Sequence, residues 1–394
     1  MKEFMLQDKP QGSTDLAIIG GGPAGTAAAL AARRRGLSVT IWERDRFPRD
    51  KVCGEFLSWE ALPLLQQEIP QALARAAAIR NAEFVSQGNR VHAFRLPMEA
   101  RGLSRWTLDE ALWCAAAASG AATHQREVVR VSNPSGSPAR TWQIQTADRG
   151  TFSAQTLLVA CGRWWALEGF PSPARKDVTK ASGPWVGAKA HFAGVAQRDA
   201  VEMYFFPGGY CGLAPVENGL YNVCCLLHRS LIERVPGARM AVFASWLRVI
   251  TRHEALNARL RDATQASTTL ATAPVRPVHR QGDHRGALLA GDAAGFLDPF
   301  TGDGISVALH TGRLAAEIVA RSRTEGTLDS SSALVQNVRE YRRRRAAFQR
   351  SFRVATLLRV LLRAPEIVQE SAAALLSNFA PQLLAGTRWR DYAS

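Results

Sequence analysis

Nowhere does the sequence reach the roughly 20 uninterrupted apolar residues that a membrane-spanning helix needs, so a chain threaded through a bilayer on helices is not expected. The opening residues, MKEFMLQDKPQGSTD, lack the apolar core of a secretory leader, and no leader is expected. The six cysteines, at 53, 114, 161, 211, 224 and 225, form no Cys-x-x-Cys pair and no metal-ligand spacing. A metal site and an iron–sulfur cluster are therefore not expected, and reduced thiols packed as small hydrophobes in a cytoplasmic chain are. Acidic residues are in deficit, 34 against 49 Lys and Arg, for a net charge of +15. Such a balance can attract nucleic acid, anionic lipid or an anionic cofactor. The excess is mostly arginine spread along the chain, and no recognition motif accompanies it, so nucleic acid is not an expected partner. Internal repeats are absent as well.

What is present starts with 394 residues, 46% of them hydrophobic, enough for a large core and two intertwined domains. Residues 1–14 read as a flexible tail. Asp15 to Ile19 reads as a buried strand, and Gly20-x-Gly22-x-x-Gly25 follows it. An alanine-rich helix then starts at Pro23 and Ala24 and ends in Arg33, Arg34, Arg35 and Gly36, cations and a glycine that suit a helix C-terminus. Leu37 to Trp42 reads as the second strand of a βαβ unit. In such a unit Gly20 allows the tight turn, Gly22 lets backbone approach a pyrophosphate and Gly25 permits close helix–strand packing. The helix N-terminus offers free N–H groups to the phosphates. Glu43, at the end of the second strand with Arg44 beside it, is placed to accept hydrogen bonds from ribose hydroxyls, which disfavours a 2′-phosphate there.

A second fingerprint, GALLAGDAAGFLDPFTGDGISVALHTG, covers residues 286–312. With it the chain resembles the FAD-dependent monooxygenase superfamily of the para-hydroxybenzoate hydroxylase type, and within it the geranylgeranyl-reductase-like branch. The resemblance runs from residue 15 to about 315. It implies an α/β fold: a Rossmann-like FAD-binding domain with an inserted antiparallel-sheet substrate domain and a helical C-terminal segment. It implies that Asp292, after Gly291, bonds the FAD ribityl chain, and that Pro299, Gly302, Asp303 and Gly304 form the loop beside the isoalloxazine. The helix beginning at Gly304 and Ile305 would aim its N-terminus at the flavin and favour negative charge on the reduced ring. Arg105 matches an arginine near the FAD phosphates or ribose, with Asp109 as helical support. Gly162 follows Cys161 where relatives often have Asp or Thr, so only backbone packing near the cofactor is implied there. Val128, at the head of a short strand, is taken as a further cofactor contact.

The expected layout is a first FAD-binding part over 15–175, a substrate domain over 176–280, a second FAD-binding part over 281–330 and helices over 331–394. Residues 59–80 read as helical. Within KVCGEFLS, residues 51–58, Cys53 is expected beside the flavin, its thiol activated by Arg49 or Lys51. Glu55 is expected to contact flavin-side backbone or to donate a proton. Tyr210, in the turn Pro207-Gly208-Gly209-Tyr210, orients substrate, donates a proton or simply packs. Lys189 and His191 share one side of a strand, and the solvent-facing side is preferred for them.

The resemblance implies a flavin oxidoreductase acting on a hydrophobic aromatic, polyketide or isoprenoid substrate, with NAD(P)H or a partner reductase as electron source. Monooxygenation through a flavin hydroperoxide is put ahead of reduction of carbon–carbon double bonds. Halogenation comes behind, because no Trp-x-Trp-x-Ile-Pro segment is present. A non-enzymatic electron-transfer role comes last. An apolar, arginine-bearing stretch at 346–385 could lie on an anionic membrane, but packing against the substrate domain is the preferred reading.

Overall fold

The computed structural model describes residues 11–133, 141–163, 165–168, 170, 184–235, 242–276, 278–279, 282–296, 299–326 and 331–346. The segment expected to face a membrane or the substrate domain lies almost wholly outside them. Among the described residues no helix is long and apolar enough to cross a membrane.

The expected βαβ unit forms the centre of a parallel sheet. Its strands run Ala287–Leu289, Thr151–Val159, Gln11–Ile19, Val39–Trp42 and Ala122–His124 in spatial order. Parallel pairing buries both faces, and the residues at its centre, Leu16 to Ile18 and Leu157 to Val159, have no exposed surface. The helix Pro23–Arg34 is buried nearly all round, because it is packed between the sheet and the long helix Gly304–Thr324. That contact is made backbone to backbone. A Cβ at Gly312 would stand 2.0 Å from the carbonyl oxygen of Ala24, and one at Gly25 would stand 1.8 Å from that of Gly20. Small residues on both helices thus bring together two fingerprints that are nearly 270 residues apart. The Rossmann-like α/β architecture matches the expectation.

The second sheet departs from the expected domain boundaries. Its order is Thr264–Gln265, Trp185–Ala193, Tyr221–His228, Gly209–Pro215, Ala200–Phe206, Ala77–Val85, Val91–Gly102 and Phe56–Leu57. Three of these strands come from the segment assigned to the first FAD-binding part. The sheet is also not purely antiparallel, since Ala200–Phe206 runs parallel to Ala77–Val85. A parallel pair requires a long crossover, here more than 100 residues, and local periodicity carries no trace of such a partner. For the same reason the helical reading of 59–80 is corrected. Short helices end at Ala74, and Ala77 onward is held as a strand by neighbours on both sides. Pairing overrides the alanine preference there.

Alternation divides this sheet into two faces. Tyr204, Phe206, Cys211 and Leu227 point to one side and pack with Trp246 and Val249 of the helix Val242–Ile250. The opposite face looks towards the loop that follows Glu43 and carries the site.

Candidate functional site

At the nucleotide end, Gly20 leaves the first strand with φ 109°, and its N–H donates to the Trp42 carbonyl at 2.8 Å. Gly22 is the N-cap of the Pro23–Arg34 helix, so no side chain caps the first turn. Around Gly22 there is nothing within 4 Å of a Cβ position, in contrast to the crowding at Gly20 and Gly25. Pro23 and Ala24 are buried at the start of this helix. Glu43 is buried and fully engaged. Its carboxylate accepts from the N–H groups of Gly21 (2.8 Å) and Asp45 (3.0 Å) and pairs with both terminal nitrogens of Arg49 (2.9 and 3.0 Å). Arg44 is exposed and reaches only Asp45. Val128 lies in the core beside Trp42 and Val159, so its side chain serves packing.

Arg105 is paired within its own helix. Its guanidinium is bound bidentately by Asp109 at 2.6 and 2.7 Å, one turn further along the helix Arg105–Ala118. Asp109 thus has the supporting role expected of it, and the arginine is held as a fixed charge at the helix start.

The second fingerprint turns out as a strand, a glycine turn and a helix. Gly291 has φ 58°, and its N–H donates to Thr311 Oγ1. Asp292 is half-buried, and its charge acts on Arg163. Gly302 has φ 68° and packs against Phe56. Asp303 is buried, its carboxylate does not cap the following helix, and at Gly304 a Cβ would meet open space. Ile305 is buried behind it, while Pro299 is exposed. Gly162, with φ 74°, also faces open space.

Between these ends runs the loop 44–55. The cations expected to activate Cys53 are engaged elsewhere: Lys51 with Asp45, and Arg49 with Glu43 and Asp45. Burial instead pushes the Cys53 thiol above its ordinary range, against the nearby charge of Arg105, so it is held as a thiol. Its Sγ accepts from the Glu55 N–H at 3.4 Å, and its carbonyl accepts from Asn222 Nδ2 at 2.9 Å. Gly54 has open space where a Cβ would be.

Glu55 is the feature that residue type alone does not reveal. It has no exposed surface, and its backbone sits in the left-handed region at φ 57°, an uncommon setting for a residue with a side chain. One carboxylate oxygen accepts from the Arg105 N–H at 2.6 Å and from Lys189 Nζ at 2.5 Å; the other bonds His191 Nε2 at 2.7 Å. Lys189 Nζ also reaches Asp50 at 3.0 Å. Two donors, the Arg105 N–H and the Lys189 ammonium, thus converge on one oxygen of Glu55, and the His191 ring meets the other. Lys189 and His191 are 1% and 5% exposed, which overturns the solvent-facing reading. Alternation placed them on one side correctly, but the loop that covers that side lies over 130 residues earlier.

Strand register extends this face into rows. Lys189 lies beside Cys224, Gly212 and Met203, and His191 beside Asn222 and Ala214. The next row is Gly187, Leu226, Tyr210 and Phe205. Tyr210 is buried there, its ring 5.7 Å from that of Phe300 and 6.3 Å from that of Phe205. Phe300 comes from the Pro299–Gly304 loop, so the second fingerprint meets the apolar end of the sheet while the charged loop 50–55 covers the other end.

Residues 15–54 match the model of the family described as FAD dependent oxidoreductase. The menaquinone reductase of Mycolicibacterium smegmatis is 27% identical over 386 residues, spanning 90% of this chain and 86% of the relative. Digeranylgeranylglycerophospholipid reductase 2 of Methanopyrus kandleri is 29% identical over 388 residues, spanning 94% and 90%. At the level of fold the chain is similar to the flavin-dependent brominase Bmp2, with a TM-score of 0.74, 19% identity and coverage of 95% and 94%.

The residues around the glycine turns fit FAD. The uncapped helix at Gly22 and the open space beside it suit a pyrophosphate, and Gly54, Gly162 and Gly304 likewise have open space where a Cβ would stand. Glu43 is the one point of competition. A carboxylate has about four acceptor sites, and Gly21, Asp45 and the two Arg49 nitrogens already take that number. A ribose hydroxyl would take over a bond that Arg49 now makes.

Proposed function

We propose that this oxidoreductase reduces carbon–carbon double bonds in an apolar, isoprenoid-type substrate. The observation that carries the reading is the Cys53–Gly54 turn: a thiol kept protonated by burial, next to open space, at the margin of a sheet face whose far end is lined by Phe205, Tyr210 and Phe300. The two relatives matched over most of their length are named as reductases, one of menaquinone and one of a geranylgeranyl lipid. Monooxygenation, put first on sequence, gains no support from those names.

Reduced FAD would supply a hydride to one alkene carbon. The other carbon needs a proton, and Cys53 holds one at Sγ. The Arg105 guanidinium, whose charge acts on Cys53, would stabilise the thiolate left behind. Tyr210 and Phe300 exclude water from the apolar end and orient a prenyl chain along the sheet. With a prenyl alcohol as probe and reduced protein in D2O, the product is expected to gain two deuterium atoms, because the hydrogen delivered by reduced flavin and the Cys53 thiol hydrogen both exchange with solvent. Incorporation of 18O from labelled O2 would instead establish a monooxygenase, and uptake of bromide or chloride a halogenase.

A further inference from the structure

The array formed by Lys189, Glu55, Asp50 and His191 takes no part in the chemistry above, yet at its centre Lys189 and Glu55 are 1% and 0% exposed. Burying ions is costly unless each is paired and hydrogen-bonded, so the position of Lys189 demands a reason. Its ammonium stands 2.5 Å from Glu55 and 3.0 Å from Asp50, and both carboxylates belong to the loop whose middle is Cys53–Gly54. The other charged or titratable groups around Glu55 are His191, on the same strand as Lys189, Cys224, beside Lys189 on the next strand, Cys53, on its own loop, and Arg105, whose N–H it accepts. The pairs fasten the loop at both ends, before and after the turn, and they hold Glu55 in its left-handed conformation.

We propose that Lys189 is a positioning residue: it clamps the loop 50–55 onto the substrate-domain sheet and so fixes both the place of the Cys53–Gly54 turn and the charge presented to the FAD. The inference rests on the reading that FAD binds across this turn. Asp50, Glu55 and His191 also have ligand atoms within 4.8 Å of one another, the spacing of a cation site. Lys189 already bonds both carboxylates, so an ammonium and a metal ion exclude each other there.

The sign of the electrostatic effect follows from charge. Removing Lys189 leaves two carboxylates beside the cofactor and disfavours added negative charge on it; removing one carboxylate does the reverse. The test uses the full chain loaded with FAD as wild type, K189M, E55Q and the double variant K189M/E55Q. K189M is expected to weaken FAD binding tenfold or more and to move the flavin midpoint potential to more negative values. E55Q is expected to move the potential the other way. The double variant, again balanced in charge, is expected to recover most of both. If K189M does not fold, E55Q and the double variant still carry the comparison.

Equal potentials in all four proteins would overturn the proposal, and so would a double variant that binds FAD more weakly than K189M, as a purely packing role requires. One equivalent of a divalent metal in the purified wild type would also overturn it, because Lys189 would then not hold these carboxylates. Failure of the wild type to bind FAD would sink the functional reading itself, whereas wild-type binding with unmoved potentials sinks the positioning role alone.

Discussion

Gly22 isolates cofactor binding from folding at the scale of one residue. Its φ is −77°, which any residue can adopt, and nothing lies within 4 Å of a Cβ. Gly22→Val is therefore expected to lower the unfolding free energy by no more than about 1 kcal/mol, the cost of a poorer helix N-cap, while FAD affinity falls at least tenfold because the branched side chain fills the pyrophosphate space. Urea unfolding of the apoprotein and titration with FAD check the two halves separately. Unchanged affinity would mean that the phosphates lie elsewhere. Glu43 and Asp292 were legible as single residues because a strand end after a glycine turn has a fixed place in this fold. The competition between Arg49 and ribose for Glu43 was not legible, because it arises from how the loop 44–49 folds back on the strand end.

Among elements, the contact between Pro23–Arg34 and Gly304–Thr324 unites the two fingerprints. Gly312 permits it, and a methyl group there meets backbone, which cannot swing aside. Gly312→Ala should cost about 3 kcal/mol, at the upper end of overpacking penalties, and lower the thermal midpoint with or without FAD. A variant with wild-type stability would show that the helices do not approach in this way. Local patterns announced the first βαβ unit. They failed at Ala77–Val85, where alanine-rich sequence is a strand by virtue of its neighbours, and at Lys189 and His191, where period two gave the correct side but not its cover. In both cases the missing information was a partner far away in sequence.

For the whole molecule, the loop 44–55 joins two sheets, one carrying the nucleotide fingerprints and the other dividing one face into a charged and an apolar end. The nucleotide half could be read from the chain because phosphate binding imposes glycines at fixed spacing. The substrate half could not, because its sheet is assembled from two separated segments and an apolar lining has no motif. The central claim, that reduced flavin in this site passes its electrons to an alkene, is tested most directly by mixing the reduced holoprotein with a prenyl alcohol in the absence of oxygen and following the flavin absorbance. The account predicts reoxidation on addition of the alkene, with one double bond lost for each flavin reoxidised. Flavin that stays reduced until oxygen is admitted, with product appearing only then, would contradict it.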